Sequence, residues 1–338
     1  MASNLSELEV IAQALVAPAK GILAADESTG TIARRLESIN VENTEANRRD
    51  YREMLFRAKG ATDYVSGVIL YDETIRQAAA DETPMVNLLT DQGMIPGIKV
   101  DTGAKPLAGM EGEVVTEGLD GLRERLVEYK KIGARFAKWR AVITIGKNLP
   151  SNYCIDVNAH ALARYAAICQ EVGIVPIVEP EVLMDGGHDI ETAEEVTEQT
   201  LRVVFNQLAA QHVASEGMLL KPNMVVSGYD TSDRAGANEV AERTVRVFQH
   251  TVPASMPGIV FLSGGQNDED AVVNLQAIAE RGLEVNAPWE LSYSYGRGLQ
   301  ALPLSTWGGK VENVEAAQAA FIQRCKLTSE ARQSTYKG

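Results

Sequence analysis

The chain has 338 residues, 45% of them hydrophobic and 23% charged, an ordinary composition for a globular protein able to bury a sizeable core. Asp and Glu number 46 against 32 Lys and Arg, a formal net charge of −14, which excludes general binding to nucleic acid or to an anionic membrane surface. The three cysteines and four histidines are scattered with no CxxC, HxH or HxxxH pair, which argues against a disulfide framework and a thiolate or imidazole metal site.

The stretch MASNLSELEVIAQALVAPAKG predicts an N-terminal helix and, lacking a basic region ahead of an apolar core, no signal peptide. No apolar run approaches the roughly 20 residues that a membrane span needs. A unit then recurs along the chain: a short apolar segment ending in polar residues or Gly, followed by a helical stretch. The first segment, KGILAADES (20–28), ends on Asp26, Glu27 and Ser28, with Thr31, Arg34 and Arg35 just beyond. Hydroxyls and an arginine at a helix start suit an anion. Capping of that helix by Ser28 or Thr29 is a plainer use of the same residues, and the two are compatible.

The second and third segments are YVSGVILYDE (64–73) and MIPGIKVD (94–101), the latter with Lys99. The fourth, RFAKWRAVI (135–143), carries Lys138. The fifth, GIVPIVEPEVLM (173–184), carries Glu179 and Glu181, whose spacing of two puts both on one face of a strand. Pro180 holds Glu179 extended. The sixth, GMLLKPNMVV (217–226), places Lys221 inside an otherwise apolar run. The seventh, PGIVFLSGGQ (257–266), ends on Ser263, Gly264 and Gly265, and the eighth, ELSYSYGRGL (290–299), on Gly296 and Arg297. Between segments lie helical stretches such as LDGLRERLVEYKKIG and VNAHALARYAAICQEVG, with Gly133 and Gly173 at the expected C-caps.

Strands alternating with helices specify an α/β fold with a parallel sheet. Eight of them specify a (β/α)8 TIM barrel. We therefore expect one domain over residues 1–338, with an N-terminal helix and a C-terminal helical or tail region from about 312 to 338. The first βα turn has one glycine where a dinucleotide fingerprint needs three, and GKNLP lacks the frame of a P-loop. The polar residues at the segment ends would gather on the C-terminal face of the barrel, where such folds place their active sites.

The chemistry these residues permit centres on the lysines. A buried ammonium costs several kcal/mol unless it is paired or neutralised. Near other cations its pKa falls, and a neutral amine can attack a ketone to form a Schiff base, an electron sink for carbon–carbon cleavage. For Lys99 alone, a snorkelling or ion-paired side chain is an equal alternative. For Lys221 the apolar and proline neighbours leave little room for that. Two carboxylates beside such lysines can divide the labour, one moving protons and the other holding a cation. Ser263 and the glycines after it, with Arg297 from the next segment, suit a phosphate, although SGG alone is usually a turn.

The blocks GILAADESTGTIARRL, FAKWRAVI, VEPEVLMDGGHDI, LLKPNMVVSG, FLSGGQ and SYGRGLQ, in that order over nearly the whole chain, closely resemble class I fructose-1,6-bisphosphate aldolase. The resemblance implies reversible cleavage of fructose 1,6-bisphosphate to dihydroxyacetone phosphate and glyceraldehyde 3-phosphate. It implies that Lys221 forms the Schiff base, Glu179 moves protons during imine formation, and Glu181 pairs with the lysines. Lys138 would lower the pKa of Lys221, and Asp26 would take the C4 hydroxyl proton. Ser263, Gly264, Gly296 and Arg297 match the 1-phosphate site, and Ser28, Thr31, Arg35, Lys99 and Arg140 lie near the 6-phosphate end. Thr31 stands where many relatives have serine. The resemblance further implies no metal or other cofactor, a homotetramer and a cytoplasmic enzyme. Family members of animal type carry a longer mobile tail ending in tyrosine, and Tyr336 in ARQSTYKG aligns ahead of it, so it is not assigned the tail's role. The alternatives are a Schiff-base aldolase or transaldolase for another sugar phosphate, and a scaffold or binding role.

Overall fold

The computed structural model describes residues 2–338, with side chains from Leu5 onward. Its strands in chain order are β1 (Gly21–Ala25), β2 (Val65–Leu70), β3 (Ile95–Lys99), β4 (Gly103–Pro106), β5 (Val114–Glu117), β6 (Phe136–Ile143), β7 (Val175–Val182), β8 (Leu219–Leu220), β9 (Gly258–Phe261) and β10 (Glu290–Tyr295). β4 and β5 form a separate antiparallel hairpin. The other eight close a parallel barrel in the order β1-β10-β9-β8-β7-β6-β3-β2, so the expected (β/α)8 architecture holds and each of the eight apolar segments supplies one barrel strand.

Alternation along the strands builds two cores at once. On β6, Ala137, Trp139 and Ala141 point outward into the layer between barrel and helices. Phe136 points inward, followed on the same face by Lys138, Arg140 and Val142. On β7 the inward residues run Val175, Ile177, then Glu179 and Glu181. β1 runs Ile22, Ala24, Asp26 and β8 runs Leu219, Lys221. The lower barrel is thus filled with apolar side chains, each contributing about 1.5–3 kcal/mol on full burial. One or two steps further along nearly every strand the interior turns polar.

The helix Ala2–Leu15 seals the lower end, where Leu8, Ala12 and Leu15 join the inner cluster with Ile22, Ile69, Phe136 and Val260. Gly97 on β3 makes room for this packing, since a Cβ there would lie 2.3 Å from the Phe136 ring. At the other end of the chain the helix Val314–Arg332 brings Arg332 back under the barrel, where it donates to the carbonyls of Val16 and Ala17, both at 2.6 Å.

Gly133 (φ +133°) and Gly173 (φ +81°) end the helices Leu122–Ile132 and Asn152–Val172, as their positions predict. Two local expectations change. The sixth strand is far shorter than the apolar run 217–226, because Pro222 has no N–H to extend the ladder. Lys221 N–H still donates to the Val178 carbonyl at 2.8 Å. Beyond Pro222 side chains take over: Asn223 Oδ1 accepts from Val182 N–H at 3.1 Å, and Val225 N–H donates to Thr244 Oγ1 at 3.0 Å. Ser28 does occupy the N-cap of the helix Thr29–Glu37, but its hydroxyl caps no backbone N–H; it lies 3.3 Å from the Thr31 hydroxyl instead.

Candidate active site

At the C-terminal mouth of the barrel is a cavity of about 970 Å³. Every candidate site residue of the sequence lines it: Lys221, Glu179, Lys138 and Asp26 at the floor; Ser263, Gly264, Gly296 and Arg297 on one side; Ser28, Thr31, Arg35, Lys99, Arg140 and Glu181 on the remaining wall. Register explains the convergence. Lys99 is paired with Lys138, and Arg140 with Glu179, across adjacent strands. Lys221 follows directly on the pair Val178–Leu220, so these candidate positions fall at one height around the barrel.

The floor is a chain of four groups alternating in charge. Asp26 Oδ2 is 2.7 Å from Lys138 Nζ; Lys138 Nζ is 3.1 Å from Glu179 Oε2; Glu179 Oε1 is 3.1 Å from Lys221 Nζ. Lys138, Glu179 and Lys221 are each no more than 4% exposed, so these attractions act in a medium that screens them weakly. Glu179 Oε2, despite its ion pair with Lys138, has no hydrogen bond of good geometry, and the other oxygen, Oε1, is the one that faces Lys221.

Burial by itself would push the Asp26 carboxyl up, but the charges of Lys138 and Lys221 and the hydrogen bond from Lys138 outweigh it and hold the group at about 2. Glu179 follows the same pattern: burial raises it, and Lys138, Lys221 and Arg140 bring it below the usual carboxylate range. Burial would lower Lys138, but Asp26, Glu179 and Asp101 more than compensate and raise it. The resting floor therefore holds two carboxylates and a fixed cation between them. Because the folded value of Asp26 lies below its ordinary 3.8, its contribution to stability is present above that pH and is lost as pH falls through about 2. Relative to Asp26→Asn, the wild type should lose about 2 kcal/mol between roughly pH 5 and pH 2 in urea unfolding. A stability difference that stays constant over that range would contradict this electrostatic picture.

The rim cations are engaged too. Arg140 Nε pairs with Glu181, Arg35 with Glu27, and Lys99 with Asp101. This corrects the expected pairing of Glu181 with the lysines: its side chain leans toward Arg140 on β6. Lys99 is ion-paired, the alternative left open for it, while still facing the cavity.

Several residues of the site escape a reading of the sequence. Asp101 accepts from Lys99 and, through Oδ2, from the Arg140 N–H at 3.2 Å. Its signal was its place two residues after Lys99, on the same face. Glu27 accepts from Arg35 and, at 2.9 Å, from Gln300 Nε2. The β4–β5 hairpin, which brings Gly103 and Ala104 to the cavity, is marked only by the glycines and alternation of GAKPLAGMEGEVVTEG. Tyr336 is outside the cavity lining and donates to the Glu269 carboxylate at 3.0 Å. Among the described residues no group of three or more His, Cys, Asp and Glu is disposed to hold a metal ion, and no helix is long and apolar enough to cross a membrane.

Comparison with known proteins places this geometry in context. The glycolytic family model described as fructose-bisphosphate aldolase class-I matches residues 7–338. A probable fructose-bisphosphate aldolase class 1 of Xanthomonas campestris is 55% identical over 336 residues, 99% of this chain and 100% of the relative. The cytosolic fructose-bisphosphate aldolase 6 of Arabidopsis thaliana is 55% identical over 332 residues, 98% of this chain and 92% of the relative. A solved structure of fructose-bisphosphate aldolase from Plasmodium falciparum, in complex with TRAP and a small-molecule inhibitor, superposes with a TM-score of 0.98 at 49% identity, covering 100% of this chain and 97% of that one.

Proposed function

The chain belongs to the class I fructose-bisphosphate aldolase family and cleaves fructose 1,6-bisphosphate in glycolysis, and we propose that it does so through a Schiff base on Lys221 served by the alternating chain of charges at the barrel floor. The observation that carries this assignment is the contact of Lys221 with Glu179 and of Glu179 with Lys138 and, through it, Asp26.

Lys221 Nζ passes a proton to Glu179 and attacks the C2 carbonyl. The new C–N bond displaces the carbonyl electrons onto oxygen, which takes a proton from the newly formed ammonium nitrogen to give a neutral carbinolamine. Glu179 returns its proton to that hydroxyl, water leaves, and an iminium remains. Asp26, held ionised by Lys138, takes the C4 hydroxyl proton. The C3–C4 bond breaks, its electron pair flows into the iminium as an enamine, and glyceraldehyde 3-phosphate departs. Protonation of the enamine at C3 and hydrolysis release dihydroxyacetone phosphate. Lys138 keeps its charge throughout and orients both carboxylates. Glu181 acts through Arg140, which it holds at the cavity wall.

Ser263, Gly264, Gly296 and Arg297 are proposed to hold the 1-phosphate. Ser28, Thr31, Arg35, Lys99 and Arg140 are proposed to face the 6-phosphate, which must share or displace the carboxylate partners of those cations. The reading includes no metal or other cofactor, a homotetramer in keeping with the family, and work in the cytoplasm, in keeping with the cytosolic relatives. Purified protein should release the two triose phosphates in equal amounts and keep that activity in excess EDTA. Its kcat/KM for fructose 1,6-bisphosphate should exceed that for fructose 1-phosphate by about tenfold or more, the effect of one or two charge-assisted contacts. Loss of activity in EDTA, or equal use of the two sugars, would oppose the assignment.

A further inference from the structure

Tyr229, which lines the cavity beside Gly264 and Gly265, has no part in the chemistry above. Its backbone is fixed by the loop that follows β7. Gly228 N–H donates to the His188 carbonyl at 2.9 Å, Tyr229 N–H to Met184 at 3.0 Å, and Asp230 N–H to Gly186 at 2.9 Å. The fit is close: a Cβ on Gly228 would sit 2.2 Å from the Gly186 oxygen. From this anchored position the Tyr229 hydroxyl reaches across to the next loop, where it lies 3.0 Å from the Gly264 carbonyl oxygen and 3.1 Å from the Met184 sulfur, and the carbonyl is the stronger acceptor of its single proton. The guanidinium of Arg234 lies 5.4 Å over the ring.

The carbonyl it holds belongs to the one peptide of that loop with little else to fix it. Residues 263–266 form a tight turn, closed by Gln266 N–H donating to the Ser263 carbonyl at 3.0 Å. Gly264 (φ +59°) and Gly265 (φ +97°) occupy its two central positions, the pattern of a type I′ turn. With glycine at both positions the central peptide can turn over at low cost, because no Cβ selects one orientation. The two orientations differ in where they aim the Gly264 oxygen and the Gly265 N–H. That choice matters because Arg297 is adjacent: a Cβ on Gly265 would lie 2.9 Å from its guanidinium nitrogen and 3.5 Å from the Tyr229 oxygen. An anion resting on Arg297 would therefore be next to this peptide, repelled by a free carbonyl and attracted by an N–H.

We propose that Tyr229 is a positioning residue for phosphate recognition, fixing the orientation of the Gly264–Gly265 peptide and occupying the Gly264 oxygen so that the turn presents a favourable dipole to an anion on Arg297. The inference rests on the assignment of the 1-phosphate to Ser263, Gly264 and Arg297. It makes Tyr229 a determinant of specificity for ketoses phosphorylated at C1, acting without contact with the reacting carbons.

The test compares borohydride trapping on wild-type enzyme, Tyr229→Phe and Arg297→Ala, using dihydroxyacetone phosphate and dihydroxyacetone as probes and thermal melting as a check on the fold. Tyr229→Phe should raise the half-saturating concentration of dihydroxyacetone phosphate about fivefold, the scale of one neutral hydrogen bond. It should leave trapping with dihydroxyacetone, the maximal extent of trapping and the melting temperature unchanged. Arg297→Ala should weaken the phosphorylated probe more strongly and spare the other. If Arg297→Ala weakens dihydroxyacetone phosphate and Tyr229→Phe does not, or if Tyr229→Phe weakens both probes alike, Tyr229 has no positioning role. If Arg297→Ala leaves the phosphorylated probe unaffected, the phosphate assignment itself fails and the proposal falls with it.

Discussion

Replacing Lys221 with methionine should lower kcat for fructose 1,6-bisphosphate by at least about 10⁴-fold, since the other amine at the floor, Lys138, is held as a cation by Asp26 and Glu179 and so is a poor nucleophile. Methionine keeps the length and apolar stem of lysine, and Glu179 retains its ion pair with Lys138 at 3.1 Å. The variant should therefore fold, with stability within about 2 kcal/mol of wild type, because removing a buried charge relieves its desolvation while one pairing is lost. The measurement is steady-state cleavage alongside urea unfolding. A folded Lys221→Met protein with more than a few per cent of wild-type activity would show that the nucleophile lies elsewhere.

The second large effect separates the two carboxylates. Asp26→Asn and Glu179→Gln should each lower kcat by about 10²–10⁴-fold, the range for loss of a positioned acid or base. They should fail at different steps. Asp26 meets Lys138 at 2.7 Å and has no contact with Lys221 in the ion-pair chain, whereas Glu179 touches Lys221 directly. Asp26→Asn should still form the iminium and accumulate it, because only carbon–carbon cleavage is impaired. Glu179→Gln should form it slowly. Single-turnover trapping of substrate on each variant distinguishes them. Equal rates of iminium formation in the two would contradict the division of roles.

Much of this site could be read in the linear sequence because a barrel strand presents every second residue to its interior. Phe136 then Lys138, Ile177 then Glu179, and Leu219 then Lys221 each mark where the inside of a strand passes from apolar to charged. Eight such segments ending on one face made both the barrel and its working end legible. Other features depended on contacts that a sequence does not display. Arg140 and Glu181 come from neighbouring strands and find one another through side-chain conformation, so the partner of Glu181 was misjudged. Asp101 and Glu27 look like solvent-facing acids until the rim cations Lys99 and Arg35 are seen against them. β8 stops after two residues because Pro222 interrupts the ladder, although the apolar run continues. Hydropathy alone cannot separate a laddered strand from an extended segment tied down by Asn223 and Thr244.

The most direct test of the account is the location of the covalent intermediate. Wild-type enzyme incubated with fructose 1,6-bisphosphate or dihydroxyacetone phosphate is reduced with borohydride, digested and mapped by mass spectrometry. The account requires one reduced adduct per chain, on the peptide that contains Lys221, with Lys138 unlabelled. An adduct on Lys138 or Lys99, or no adduct while turnover proceeds, would contradict it.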